Sequence, residues 1–595
     1  MAKIQSAQES GVYTIRKFLG LNECADGDTQ LKAGEAAEMR NWKVTPHHHL
    51  RVRPGCRTLR QFTGPIRGLW RGFVAGRWKT VCAADGGIWE VSGRNFRRLG
   101  DCWDAPTTMF GFGGKVYFLN GHEYLVWDGE GFVDTVDGYV PLIATAIAPD
   151  GGGTTVENIN RLTGKRRCQF SADGEAKEFQ LPEKGLLSVD KIVIDTKVVE
   201  LGWSVDKTEG KITFEEVPEA GNSNVEVWYT MPNTLRAQVE AMRFAEQFNG
   251  AADTRVFLYG DGSAKAIYCG ITEDGTPSAE YFPDLYEILV GSENAPVTGM
   301  IKYYDRLMSY KSDGGAFATK YEITELADGS VIPGFKTVSI NREIGNEAMG
   351  QVRLVENMPR TLYAGQIYDW VMVNYATRDE RNARNIGQRV QMTMETADME
   401  RVFCFDDDSR QEYYIFLNDQ AGTALVHHYG IDVWYQYTGL PVVCGTRGED
   451  GLYFGLSDGR VVRFSEEYLN DDGTEIDAFY ASGHMAFDRD YCKKYSAMTW
   501  VSVKPTANAV LEAAVRCDRE TEERAKTVFM GLSTFQSADF SLWSFLTGRS
   551  PKIQRLKLKM KRFVYYQLIL RSCCRASDAT VLAVDIQVQY GGRAK

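Results

Sequence analysis

A chain of 595 residues exceeds one ordinary core and implies about two to four domains of roughly 100–200 residues each. With 12% aromatics, 58 Gly and only 17 Pro, it suits many short strands and tight turns and excludes a helical bundle or a disordered polymer. The formal charge of −11 excludes a generally basic nucleic-acid binder, so any contact with DNA must be local or weak.

The opening "MAKIQSAQESG" carries no apolar core, and no window approaches the roughly 18 apolar residues of a membrane helix. Neither a signal peptide nor a membrane span is expected, and residues 1–60 read as an N-terminal arm. Propeller-like hairpins begin beyond it. In "GKVYFLNGHEYLVWDGEGF", starting at Gly114, apolar runs are broken by Asn120-Gly121 and Asp128-Gly129. Such dipeptides accept the positive φ that a tight hairpin turn demands. The same layout fills 65–101 and 107–136 and returns at 253–284, 295–324 and in three later blocks up to about residue 468. A spacing of about 40–50 residues is the period of four-stranded propeller blades. The expected fold is all-β: a β-propeller of six or seven blades with an inserted small β-sandwich and a C-terminal β-domain. Blades are placed at 61–154 and 233–473.

Two segments break the period. Residues 155–232 alternate well (Val189, Ile192, Ile194; Val225, Val227, Tyr229), are flanked by Gly151-Gly152-Gly153 and Pro232, and predict the inserted sandwich. Residues 474–595 predict a closing domain of longer strands. Helix is scarce. Asn233, the i/i+4 series Ala237, Val239, Met242 and Ala245, and Gly250 as a stop predict one over 233–250. A weaker candidate covers 378–395.

Motifs of catalysis are few. Gly455-x-Ser457-x-Gly459 fits a nucleophile elbow, but that motif needs a following helix, and "RVVRF" reads as a strand, so Ser457 is expected in a hairpin turn. His47-His48-His49 and His427-His428 are consecutive residues that point to opposite faces of an extended chain, a poor metal site, and read as surface turns. Gly121-His122 and Trp127-Asp128 lie too close together to be the paired marks of one WD40 blade. The clusters Asp406-Asp407-Asp408 and Asp471-Asp472 lack the calcium-loop ladder and read as solvated turns. No spacing selects a pair of carboxylates for glycoside hydrolysis. The 12 cysteines include no C-x-x-C and read as buried thiols of a protein made in a reducing compartment. No catalytic, cofactor-binding or metal residue is assigned.

One pattern invites a partner. In "KIQRLKLKMKRF", Arg555, Lys557, Lys559 and Lys561 alternate with Leu556, Leu558 and Met560, giving a strand one apolar and one basic face. The bland reading is a soluble face guarded by lysines; the other is contact with an acidic partner or a phosphate backbone.

Phe18, Gly20, Asn22, Gly34-Glu35, Met39-Arg40-Asn41, Arg51 and Arg53-Pro54-Gly55 resemble the opening of the tail nozzle, or packaged-DNA stabilisation, proteins of short-tailed bacteriophages, the tail tubular protein B-like family. "PVTGMIKYYDRLMSY", the inserted "FSADGEAKEFQLP" and the closing "VLAVDIQVQYGGRAK" agree with it. The resemblance implies a non-catalytic virion protein of the tail, made in the host bacterial cytoplasm. Copies of it, a homohexamer in the family, would form a ring below the portal and adaptor, contact tail fibre or needle proteins, and retain genomic DNA until ejection. A net-negative channel wall would keep DNA sliding rather than sticking. The alternatives are a glycan-binding or glycan-degrading propeller protein of a phage fibre, or a siphophage tail component.

Overall fold

Hairpin turns organise the chain as its sequence demands. Gly121 sits at φ 83° and Gly129 at φ 92°, and the Asn120 Oδ1 accepts the backbone N–H groups of His122 and Glu123 at 3.0 Å each, fixing the turn. The computed structural model describes residues 10–24, 30–249, 254–325, 331–371, 382–506, 510–518, 522–529, 551–573 and 577–593. They fall into two units, Trp70–Met349 on the one hand and Met1–Leu69 with Gly350–Lys595 on the other.

The unit Trp70–Met349 holds four four-stranded antiparallel sheets, the blades of the propeller fold. The first comprises Gly68–Val74, Arg77–Ala84, Gly87–Ser92 and Asn95–Asp101; the second Thr108–Phe112, Lys115–Leu119, Tyr124–Trp127 and Asp134–Thr135. The third comprises Phe244–Phe248, Arg255–Tyr259, Lys265–Tyr268 and Glu287–Leu289, and the fourth the four strands from Val297–Tyr303 to Val331–Asn341. Inner strands such as Arg255–Tyr259 are buried at every position, because a blade packs on both faces. Their sequence is therefore a mostly apolar run, as over 256–259, rather than an alternation.

Between the second and third blades stand two further sheets. One orders Thr154–Thr155, Leu142–Ile147, Lys165–Phe170, Val225–Thr230, Ser188–Ile194 and Lys197–Val198; the other Glu178–Gln180, Lys211–Phe214 and Trp203–Asp206. Phe170, Phe179 and Phe214 stack edge-on at 5.4 and 5.2 Å inside their shared core. This sandwich starts at Leu142 rather than at residue 155. Leu142–Ile147 joins it in parallel with Lys165–Phe170, and the Gly151-Gly152-Gly153 run, all at positive φ, is a turn within the sheet rather than a linker.

The helix expected over 233–250 is confined to Arg236–Glu240. Phe244–Phe248 is instead the first strand of the third blade, where Phe248 is buried against Phe257 and Phe335, a burial that overrides the helical spacing. In the second candidate, Gln388–Val390 and Gln391–Glu395 form short helical turns and Ala383–Asn385 is a strand, while residues 378–381 lie outside the described residues.

The other unit holds three more four-stranded blades, beginning at Arg353–Val355, Phe403–Asp407 and Val442–Arg447. Together with the first four this makes seven such sheets among the described residues. The last blade takes its fourth strand, Gly55–Gln61, from the N-terminal region, paired with Arg460–Ser465. The same unit carries a terminal sandwich of seven and six strands.

Residues 1–60 are accordingly not an arm in their described parts. Ser10–Ile15 and Leu50–Val52 pair with Thr580–Arg593, and Glu35–Arg40 pairs with Ala478–Ser482. Pairing across more than half the chain leaves no local signature, which is why the segment reads as an appendage in sequence.

Candidate functional site

The basic residues 555–561 lie on the edge of the seven-stranded terminal sheet. Lys552–Leu556 and Met560–Phe563 both pair with the long strand Cys492–Lys504, and residues 557–559 between them leave the ladder. Leu556, Leu558 and Met560 are buried in the core, whereas Arg555, Lys557, Lys559 and Lys561 are exposed. The alternation holds, but the strand is broken in the middle. Arg524 donates from Nη1 to the Lys559 carbonyl at 2.6 Å, adding a fifth cation to the patch. Among the described residues none of the four forms an ion pair, although ion pairs are common over the rest of the surface.

The polar motifs expected in surface turns are in part built into the core, while Asp408, Asp472 and His47 are exposed as expected. His427 and His428 are both buried on the strand Ala424–His428. Arg360 donates to the His427 Nδ1 at 3.2 Å, so the Nε2 carries the proton and faces the Asp432 Oδ1 at 3.1 Å, while Trp434 stacks on the imidazole at 4.5 Å. Burial lowers the His427 pKa, with the Asp432 carboxylate opposing, and favours the neutral ring. Asp471 holds Arg53 through two hydrogen bonds of 3.2 and 2.6 Å and accepts the Cys56 N–H. Asp407 is buried with Ser409 and Arg410 against it. These are structural polar groups that local sequence reads as solvated: Asp471 meets Arg53 across 418 positions and His427 meets Arg360 across 67, whereas the Asp407 partners are local and its burial alone escapes a sequence reading. His47 and His49 do flank a turn, with rings 6.0 Å apart. No group of three or more metal-ligating side chains occurs among the described residues. Ser457 is exposed in the turn between Leu452–Leu456 and Arg460–Ser465, without the helix a nucleophile elbow requires.

Asp406 carries a testable consequence. Its Oδ1 is buried without a hydrogen bond, and burial, reinforced by Asp408 and Asp407 against the opposing Arg360, pushes its carboxyl up to about 7. The unfolded chain releases this proton near the ordinary value of about 3.9. The folded protein therefore binds the proton more tightly, and stability falls as pH rises from about 4 through about 7. Asp406→Asn is expected to raise the melting temperature at about pH 8 and to change it little near pH 4, measured by thermal unfolding across that range.

The unit Trp70–Met349 contains a feature that no motif announced, because its residues come from four separate segments. A cavity of about 600 Å³ is lined by Phe112, Lys115, Tyr117, Tyr139, Arg167 and the 272–280 loop. Lys115 Nζ lies 2.6 Å from the Glu280 Oε1, which also accepts the Tyr117 hydroxyl at 3.3 Å. Arg167 pairs with Glu273 and reaches the Tyr139 hydroxyl at 3.4 Å. Tyr139 in turn donates to Glu157 at 3.1 Å, whose pKa burial raises. A second cavity of about 480 Å³, lined by Trp70, Phe73, Gln247 and Thr254, shares Phe112, Gly113 and Lys115 with the first.

Fold and surfaces define an all-β propeller protein with two accessory sandwiches. No family model matches the sequence, and no curated protein matches it. Solved structures similar in part include BamB from Moraxella catarrhalis, at 10% identity over 70% of this chain and 99% of that one, with a TM-score of 0.32. Sqt1 from Saccharomyces cerevisiae is 8% identical over 72% and 100%, at a TM-score of 0.33. YCF48 from Cyanidioschyzon merolae is 10% identical over 69% and 99%, at 0.25.

Proposed function

We propose that this protein is a structural component of a bacteriophage tail, a ring of identical chains below the portal and adaptor that retains packaged DNA and passes it on ejection. What supports the reading is the use the fold makes of the residues that carry the resemblance. Asn41 donates to the Thr438 hydroxyl and the Asp477 carbonyl at 2.8 Å each, and Arg53 donates from Nε to the Asn41 Oδ1 at 2.9 Å and to Asp471. Phe18 and Met39 are fully buried in the main core of the same unit. The motif thus welds the terminal sandwich to the last two blades, the kind of stiff joint that a pressurised wall requires.

Particle images and the mass of the purified chain test this reading: closed rings support it, and monomers at all concentrations overturn it. The basic edge is the proposed contact with an acidic patch on the neighbouring copy, DNA being the second choice. The double variant Lys557→Glu, Lys559→Glu is then expected to shift the ring–monomer equilibrium toward monomer, by about tenfold or more at low salt and less at high salt, where screening already weakens the contact. Sedimentation at several ionic strengths reads it, and unchanged assembly throughout would make the patch a solvated face.

A further inference from the structure

The two cavities of the unit Trp70–Met349 are one trough divided by the hairpin tip at Phe112, Gly113 and Lys115. Each has the volume of a small-ligand site, typically about 300–1,000 Å³. The charges along the trough come in opposed pairs, Lys115 with Glu280 and Arg167 with Glu273. Such pairs leave little net field to select a phosphate or an ammonium group. They do present hydrogen-bond donors and acceptors side by side, which suits hydroxyl groups, each of them both donor and acceptor. Flat apolar faces complete the lining: Phe73 is 62% exposed, and Trp70, Phe112 and Tyr139 are half-buried.

The Trp70 wall is specifically accommodated. A Cβ on Gly72 would come within 2.1 Å of the indole, and one on Gly111 within 3.2 Å. Neither glycine has a positive φ, so it is space for the ring, not backbone geometry, that requires them.

From the paired charges, the aromatic faces and the two adjoining cavities, we propose that the trough binds a neutral oligosaccharide, with sugar C–H faces on Trp70, Phe73 and Tyr139 and hydroxyls on Glu280, Glu273, Arg167 and Gln247. The inference is independent of ring formation and is read on the purified chain in whatever assembly state it adopts. A printed panel of neutral, anionic and aminated oligosaccharides is the probe, followed by calorimetry on the neutral members retained. Phe73→Ala removes a mostly exposed ring and Glu273→Gln only the charge of a mostly exposed carboxylate, so folding is expected to survive, and an unchanged melting temperature checks it. Each variant is expected to weaken binding about tenfold or more, the scale of a lost stack or a lost charge-assisted hydrogen bond. Failure of the neutral members to bind, or binding that both folded variants retain, overturns the proposal.

Discussion

Replacing Arg360 with alanine is expected to destabilise its unit by about 3–5 kcal/mol, the range for removing one partner of a buried ion pair. The guanidinium is 1% exposed and lies in two-pronged contact with Asp369, Nε to Oδ1 at 2.6 Å and Nη2 to Oδ2 at 3.1 Å. It also covers the Tyr413 ring at 4.6 Å and donates to His427. Truncation leaves the Asp369 carboxylate, 11% exposed, without its cation, strips the donor from the His427 Nδ1 and opens a cavity beside Tyr413. A second variant separates charge from packing. In Arg360→Met, Asp369→Leu neither charge remains, and the loss is expected to shrink to a fraction of the single variant's, since apolar groups of similar volume replace a buried pair at little net cost. The midpoint and slope of denaturant unfolding, with hydrogen exchange at Met358–Tyr363, measure both. Equal losses in the two variants would assign the effect to packing alone.

The blades were legible because their information is local. Positive φ at Gly121, Gly129 and Gly459 has to be written into the sequence at each turn, and the apolar runs between turns follow from burial on both faces. The basic edge was legible for the same reason, since alternation is read over a few residues, although the break at 557–559 was not. What escaped depends on distance along the chain. Ser10 faces Gln589 in the terminal sheet, and Arg360 meets His427 across 67 positions. Such partners turn apparent surface polar residues into buried ones and an apparent arm into sheet. The spacing over 233–250 fits both a helix and the start of a blade, and only the core around Phe248 decides between them. The trough escaped altogether, because residues 70–73, 112–117, 139, 167 and 272–280 share no pattern until the fold assembles them.

A chain beginning at residue 62 is expected to lose the fold of the terminal sandwich and last blade while the unit Trp70–Met349 keeps its own. The deletion removes Gly55–Gln61, exposing the outer edge of Arg460–Ser465 with its buried Val461, Val462 and Phe464. It also removes Ile15, Phe18, Leu21, Met39, Trp42, Val44 and Leu50, each at most 1% exposed in the unit's main core. At about 1.5–3 kcal/mol for each large apolar side chain, their combined loss reaches or exceeds the about 5–15 kcal/mol by which a typical domain is stable. The unpaired strand edges then favour aggregation. The four blades and inserted sandwich of the other unit draw no strand from residues 10–61 and have separate cores. Limited proteolysis of the truncated chain should therefore leave a resistant fragment near residues 70–349 and digest the remainder, whereas the full chain resists in both units. Supplying residues 1–61 as a separate polypeptide during expression should restore protection, because the missing strands pair through ordinary sheet hydrogen bonds rather than through chain continuity. Were the truncated chain protected in both units without that supplement, the first 61 residues would be an appendage after all, and the weld through Asn41 and Arg53 would contribute little to stability.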